Sequence, residues 1–422
     1  MRVAVVGAGI VGVTTAHELA AEGHDVLVLE RRGSVAAEAS FGHAGVVAPG
    51  LVAPWPGPGG PWRWLPGLPA SLAGLQLAPS ALGQLPWLWR ALLARRAQVL
   101  APNRSAMQRL AVLSRQRLLE LTQALDLDFE QADGVLVLLR SERALRAHRP
   151  VLKRLAELEV AFELLDAAKA REIEPSLNPA TPLRAAVRLP QDAVGNGRQF
   201  AHRLKAEAVR LGASFRFDTP VRAIRPGARP EVVIDADRVE KVDAVVLCTG
   251  AAAAELLAPA GIRLPLVPVW GLSVTAPVNH VDGQLPHAPR AAVIDERHQV
   301  TISRLGQRVR VAGGHRIGGS AEALPMRHLR GLYRVLDEWF PGSAVMREAQ
   351  HWAGARPMLP DGAPLLGASG LPGVWLNLGH GGHGWALACG SARVLAAGLA
   401  GRDAGLDLSR LGVSRLGFSK SA

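Results

Sequence analysis

Apolar runs and apolar periodicities alternate along this chain, and each predicts an element. RVAVV at 2–6 and DVLVLE at 25–30 are continuous apolar stretches bounded by turn residues, and they predict strands. Between them, Ala16 and Leu19 recur at helical spacing, and Gly23 closes the predicted helix. A long amphipathic helix is predicted over 104–127, where Leu110, Leu113, Leu118, Leu121 and Leu125 share a face. GVLVLLR at 134–140 alternates too little for an exposed strand and predicts a buried one. Ser141 then caps a helix to about 158, and a further helix over 163–174 is halted by Pro175. A strand and turn at 185–196 and a helix at 199–211 follow, then strands at 214–218, 220–224 and 231–234. AVVL at 244–247 predicts another short buried strand, running into a helix start at Gly250. From 266 to 319 the pattern is strand-rich, with hairpins near Glu296–His298 and Gly306-Gln307. A helix at 326–341 stops at proline, and 373–401 reads strand, glycine loop, helix.

The first strand–turn–helix–strand unit carries chemistry. Gly7-Ala8-Gly9-Ile10-Val11-Gly12 follows a strand and opens a helix, and Glu30 ends the next strand 18 residues after Gly12. The first glycine permits the tight turn and the second lets backbone approach a pyrophosphate. The third lets helix pack on strand, and the bare N–H groups of the helix start hold phosphate. Glu30 stands where a carboxylate accepts hydrogen bonds from a ribose. This is a dinucleotide site.

Composition narrows the class. The chain has 422 residues, about half hydrophobic and a fifth charged, long enough for two cores. Its net charge of +12 suits anionic substrates or anionic lipid. No basic run is interleaved with aromatics, so no nucleic-acid partner is expected. Two cysteines, Cys248 and Cys389, make neither a framework nor a metal site, and a reducing, cytoplasmic setting is expected. Arg2 already opens the first strand, so no leader is expected, and no stretch reads as a membrane span.

Residues 39–89 contain one charge, Arg63, and five of the ten tryptophans. Repeated prolines forbid a helix through most of this stretch. It predicts an irregular apolar cover over the site. Its tryptophans, with Arg90, Arg95 and Arg96 behind them, also suit a membrane–water interface across 55–96. Just before it, the small residues of EASFGHAG suit backbone lying against a flat ring, with His43 among them.

The loop Gly379-His380-Gly381-Gly382-His383-Gly384 opens a second helix whose N-terminus can meet an anion or dipole. One cofactor that uses two such helix starts is a flavin dinucleotide. The pyrophosphate takes the first, and the charge arriving on the ring takes the second. Arg356, just before this loop, offers a fork that matches a carboxylate.

These segments, with LPQDAVGN, GARPMLPDGAPLLG and WLNLGHGGHGWALACGSA, resemble the D-amino-acid oxidase superfamily of flavoproteins nearly end to end. The resemblance implies an α/β fold in which a Rossmann-like FAD-binding domain (1–50, 185–262 and 352–422) interleaves with an α+β substrate domain (51–184 and 263–351) built on a mixed or antiparallel sheet. It implies FAD held by Gly7, Ala8, Gly9, Ile10, Val11, Gly12, Glu30 and Arg31, then by Ser40, Ala44 and Gly45. Val221, Thr249 and Gly250 join them, as do Gly379, Gly381, Gly382 and Gly384. Arg356, His43 and His380 are the implied catalytic residues.

The implied reaction oxidises a D-amino acid to an imino acid, hydrolysed to a 2-oxo acid and ammonia. Electrons would pass to a quinone or another acceptor rather than to oxygen. The location implied is the cytoplasm, at the inner membrane's cytoplasmic face. The alternatives are an oxidase of secondary amines or glycine-type acids that releases peroxide, and a non-catalytic electron-transfer subunit. Where relatives carry tyrosines this chain has Leu51 and Leu272, and where they carry a glutamate it has Arg316. These three, with Arg356, are the expected substrate pocket, and Arg316 is expected to favour an acidic or polar substrate if it faces that pocket.

Overall fold

The computed structural model describes residues 1–55, 75–279, 288–320 and 326–416. Two sheets organise them. The first has six strands in the order 365–368, 374–378, 244–247, 2–6, 25–29, 214–216. All neighbours are parallel except the outermost pair, Leu365–Ala368 with Val374–Leu378. Continuous apolar strands follow from this, because parallel strands are covered on both faces. On one face lie the helices Ile10–Ala21, Gly197–Arg210 and Gly384–Leu399, packed into one core with Val3, Val5, Val26, Val28 and Val246. The other face is covered by a three-stranded antiparallel meander (223–225, 231–233, 239–241) and the short helix Ala253–Leu257, around Leu247, Ile224 and Val232.

The second sheet has ten strands, mixed in direction, whose main path runs 350–358, 267–277, 308–317, 300–305, 292–295, 132–139, 185–194, 46–47. Helix Met326–Trp339 seals one part of it with Leu332, Val335 and Trp339, and helix Glu142–Glu157 packs on another around Val135, Val187 and Leu155. Ser141 caps the second helix by accepting the Ala144 N–H at 3.2 Å.

Two expectations shift. Ala185–Val194 pairs with Ala132–Leu139 and Val46–Val47, and Gln350–Met358 pairs with Val267–Pro277, so both belong to the second sheet. The chain therefore returns to the first sheet at helix Gly197–Arg210, not at 185, and after Met358, not at 352. The helix expected over 163–174 is a strand, Glu163–Asp166, followed by a helix from Ala167. The strand forms because its backbone pairs with Ala185–Arg188, and Asp166 then caps the helix through the Lys169 N–H at 2.9 Å.

Candidate active site

One cavity of about 1680 Å³ runs between the two sheets. It is well above the size of a single small-ligand pocket, so it has room for a cofactor and a substrate together. One end is the first helix start. There Gly7 has φ +97°, and a Cβ on it would lie 2.7 Å from the Cys248 carbonyl oxygen. A Cβ at Gly12 would lie 1.8 Å from the Gly7 oxygen, which no side chain survives. Both glycines hold strand, turn and helix in contact, while Gly9, Ile10 and Val11 line the cavity. Ser40 Oγ accepts the Ile10 N–H at 3.1 Å, tying the 38–45 segment to the helix start. Glu30 lines the cavity, its carboxylate accepting the Ala8 N–H at 2.6 Å and the Arg32 N–H at 2.8 Å.

The second helix start lies beside the first, because helices Ile10–Ala21 and Gly384–Leu399 pack together and Thr14 Oγ1 donates to the Ala388 carbonyl at 3.2 Å. The loop before it closes over Arg356. The strand Gln350–Met358 runs antiparallel to Val267–Pro277, and Met358 forms an isolated bridge with His380. A Cβ at Gly382 would lie 3.6 Å from Arg356 Cδ, and one at Gly271 would lie 2.3 Å from Arg356 Nη2. Gly271 thus leaves the guanidinium its space, while Gly382 lies within ordinary contact of the Arg356 side chain. Arg356 Nη1 donates to the Gly314 carbonyl at 2.6 Å, and no carboxylate among the described residues pairs with it. Burial pulls its pKa down to about 10, so it stays charged near neutrality. A buried, uncompensated cation of this kind favours an anionic ligand.

Three histidines surround that charge, and burial holds them neutral. His43 is lowered to about 4, His315 to about 3 and His383 to about 4, the Arg356 charge adding to the effect at each. His43 accepts the Gly45 N–H on Nδ1 at 3.0 Å and so donates from Nε2 to the Gly382 carbonyl at 3.1 Å. His383 Nε2 donates to the Ala53 carbonyl at 3.0 Å. His380, lowered to about 3 by burial, directs Nε2 at Ser391 Oγ, 3.3 Å away. His43 and His380, expected as catalytic, therefore hold the loop: both ring nitrogens of His43 are committed to backbone.

Of the remaining expected residues, Arg31, Ala44, Val221, Thr249, Gly250, Gly379, Gly381 and Gly384 line the cavity, as do Leu51 and Leu272. Ala8, Gly12 and Gly45 support it from behind. Arg316 does not line it. The strand Arg308–Ile317 turns His315 to the cavity and Arg316 away from it, toward His328 on helix Met326–Trp339. His315 was not among the expected residues: alternation along GGHRI separates it from Arg316 but does not say which of the two faces the cavity. Sequence reasoning also missed Trp270, Ser273 and Trp352, whose Nε1, Oγ and Nε1 atoms are buried without a hydrogen-bond partner on the cavity wall. Thr249 Oγ1 is in the same state at the dinucleotide end. Unpaired polar atoms lining a glycine-walled slot fit a polar, planar cofactor.

Trp55 roofs the site, stacked on His315 with ring centroids 5.5 Å apart and on Trp87 at 6.2 Å. Helix Leu85–Leu93 follows, with Trp87 and Ala91 turned in and Leu85, Trp89 and Leu92 turned out. The rest of the expected cover, 56–74 with Trp62 and Trp64, lies outside the described residues.

The geometry agrees with comparisons to known proteins. Residues 2–398 match the model of the DAO family, FAD dependent oxidoreductase. A D-amino acid dehydrogenase of Bradyrhizobium diazoefficiens is 36% identical over 98% of this chain and 99% of its own length. One from Cereibacter sphaeroides is 38% identical over 98% of this chain and 95% of its own. Among solved structures, glycine oxidase from Geobacillus kaustophilus superposes with a TM-score of 0.73 at 22% identity, covering 98% of this chain and 99% of that one, which shows a shared fold. The two helix starts, the acid at Glu30 and the full-length match leave one assignment: this chain belongs to the DAO family of FAD-dependent oxidoreductases.

Proposed function

We propose that the protein oxidises D-amino acids to 2-oxo acids and ammonia and passes the electrons to a quinone or another non-oxygen acceptor. The observation that carries this is Arg356, an uncompensated buried guanidinium against the glycine loop of the second helix start. A substrate α-carboxylate satisfies it with two charge-assisted hydrogen bonds and fixes the position of the Cα–H. FAD, when bound, supplies the acceptor for the hydride that leaves Cα. Gly7–Gly12 and Glu30 would hold its pyrophosphate and ribose, and the Gly379–Gly384 loop its ring. The protein's task is positioning. His43 and His383 fasten the loop, Trp55 and Trp87 help exclude water, and no side chain among the described residues of the site serves as a strong base. The amine reaches the site neutral, its lone pair forms the C=N bond as Cα loses hydride, and the resulting iminium takes up water to give the 2-oxo acid and ammonium.

Anaerobic bleaching of the purified yellow protein by a panel of D- and L-amino acids tests the reading. D-enantiomers should bleach it while L-enantiomers leave it oxidised. Absence of bleaching by any D-amino acid rejects it, and stoichiometric peroxide under air would favour the oxidase alternative.

The exposed apolar face Leu82, Leu85, Trp89 and Leu92, flanked by exposed Arg90 and Arg96, supports docking on an anionic lipid surface near a quinone. No helix among the described residues is long and apolar enough to cross a membrane. Co-sedimentation with phosphatidylglycerol vesicles, lost in Trp89→Asp, is the expected result. Equal recovery in the pellet with and without vesicles would dismiss it.

A further inference from the structure

The cavity carries a second cationic stretch on elements that hold neither the dinucleotide nor Arg356. It lies between helices Ala97–Ala124 and Glu142–Glu157, where Arg104, Gln108, His148 and Arg154 line the wall. Arg154 is half-answered by Glu157 at 3.0 Å. Arg104 has no ion-pair partner among the described residues, and its Nε is buried without a hydrogen bond. Burial first, and then the neighbouring Arg154 charge, act against its own charge. Beside it, Gln108 Oε1 and His148 Nε2 are also buried without partners, and burial disfavours protonated His148. None of the acidic residues of these two helices lines the cavity. The stretch joins the substrate end through the Gly50–Pro54 segment. Gln108 Nε2 reaches the Gly50 carbonyl at 3.5 Å, and the Ala53 carbonyl accepts from His383.

Half-burying an unanswered guanidinium, with its Nε shut off from water, costs free energy, less than full burial would, unless a ligand anion completes it. We propose that this stretch is the side-chain subsite, with Arg104 as the specificity residue, and that the substrates taken best are D-amino acids with an acidic side chain. The inference rests on Arg356 as the α-carboxylate anchor. A dicarboxylate then spans two guanidinium groups, and a neutral isostere leaves Arg104 unanswered. Arg316, expected to confer this preference, lies outside the cavity, and Arg104 takes over the role.

Steady-state rates on matched pairs test it: D-aspartate against D-asparagine, D-glutamate against D-glutamine, and D-2-aminoadipate to vary the span. The wild type should favour the acidic member, and Arg104→Gln should reduce the acidic-to-neutral ratio of kcat/KM at least tenfold, chiefly through KM. Arg104→Lys should restore part of the ratio, and Arg154→Gln, chosen because its side chain is partly exposed, should lower it less. Stabilisation of the protein against heat by glutarate, beyond that by butyrate, gives a readout independent of turnover and should vanish in Arg104→Gln. A ratio unmoved by Arg104→Gln, or a wild type that prefers the neutral members, overturns the subsite while leaving D-amino-acid oxidation standing. If no member of any pair reduces the flavin, the oxidation reading fails and takes this one with it.

Discussion

A single guanidinium carries the substrate end of the site, and its replacement separates positioning from charge. Lysine at 356 keeps the cation but loses the fork, and methionine loses both. Each charge-assisted hydrogen bond contributes about 1.5–3 kcal/mol, so Arg356→Met should lower kcat/KM by roughly 10²–10⁴ and Arg356→Lys by less. Both should keep their flavin absorbance, because Arg356 lies apart from Gly7–Gly12, the proposed dinucleotide cradle. Loss of flavin in parallel with activity would show that Arg356 supports the fold instead. The histidines predict a pH profile. With His43, His315 and His383 all titrating near 3–4, none changes charge between pH 6 and 9. The rate at low substrate should therefore rise with pH along a single limb set by the substrate amine. It should shift with the amine pKa when the substrate is changed, and a fixed limb near 6.5 for every substrate would point to an enzyme histidine. Arg356 was legible in the sequence because it sits in a motif between glycines. His315 was not, because which face a strand residue takes depends on register, here altered by the irregularity between Trp270 and Leu272.

At the scale of elements, glycines explain why the two loops could be read and the sheets could not. Gly7, Gly12 and Gly271 mark places where backbone, helix or guanidinium approaches too closely for a Cβ, so the requirement is written in the residue itself. Gly271→Ala tests this away from the cofactor. Its Cβ would fall 2.3 Å from Arg356 Nη2, and displacing the guanidinium should raise KM at least tenfold with flavin content unchanged. A normal KM would mean that the strands simply spread. Strand membership carries no such mark. Ala185–Val194 would be equally apolar in either sheet, and only its pairing with Ala132–Leu139 places it in the second. Two of the expected domain boundaries, 185 and 352, moved for that reason, although most helices and most of the longer strands were read from their apolar pattern. Glu163–Asp166 shows the same limit: four residues made a strand by a neighbour far along the chain have no periodicity of their own.

The whole molecule buries titratable groups of opposite tendency, and their balance fixes how its stability depends on pH. His17, His43, His328 and His383 are lowered to about 4 and His315 and His380 to about 3, in each case first by burial. Unfolded, they titrate near 6.5, so between that value and 4 the unfolded chain binds more protons, and stability falls as pH falls, by up to about 1.4 kcal/mol per unit for each histidine. Asp192 acts the other way. It is buried in the Ala185–Val194 strand with neither oxygen hydrogen-bonded, Arg115 stands 3.7 Å off, and burial raises its carboxyl to about 7. The folded protein therefore holds a proton that the unfolded chain loses near 4, and this contribution declines as pH rises from 4 to 7. Six histidines outweigh Asp192 and the two glutamates that burial also raises, Glu18 and Glu174, below 6.5, so melting temperature should drop steeply from pH 6.5 to 4.5 and change little above 7. Asp192→Asn removes one of the opposing groups. It should raise the melting temperature at pH 8 more than at pH 5 and leave a steeper fall on the acid side. A wild-type melting temperature flat between pH 7 and 4.5 would mean that these histidines are hydrated and that the closed packing around Arg356 does not persist in solution.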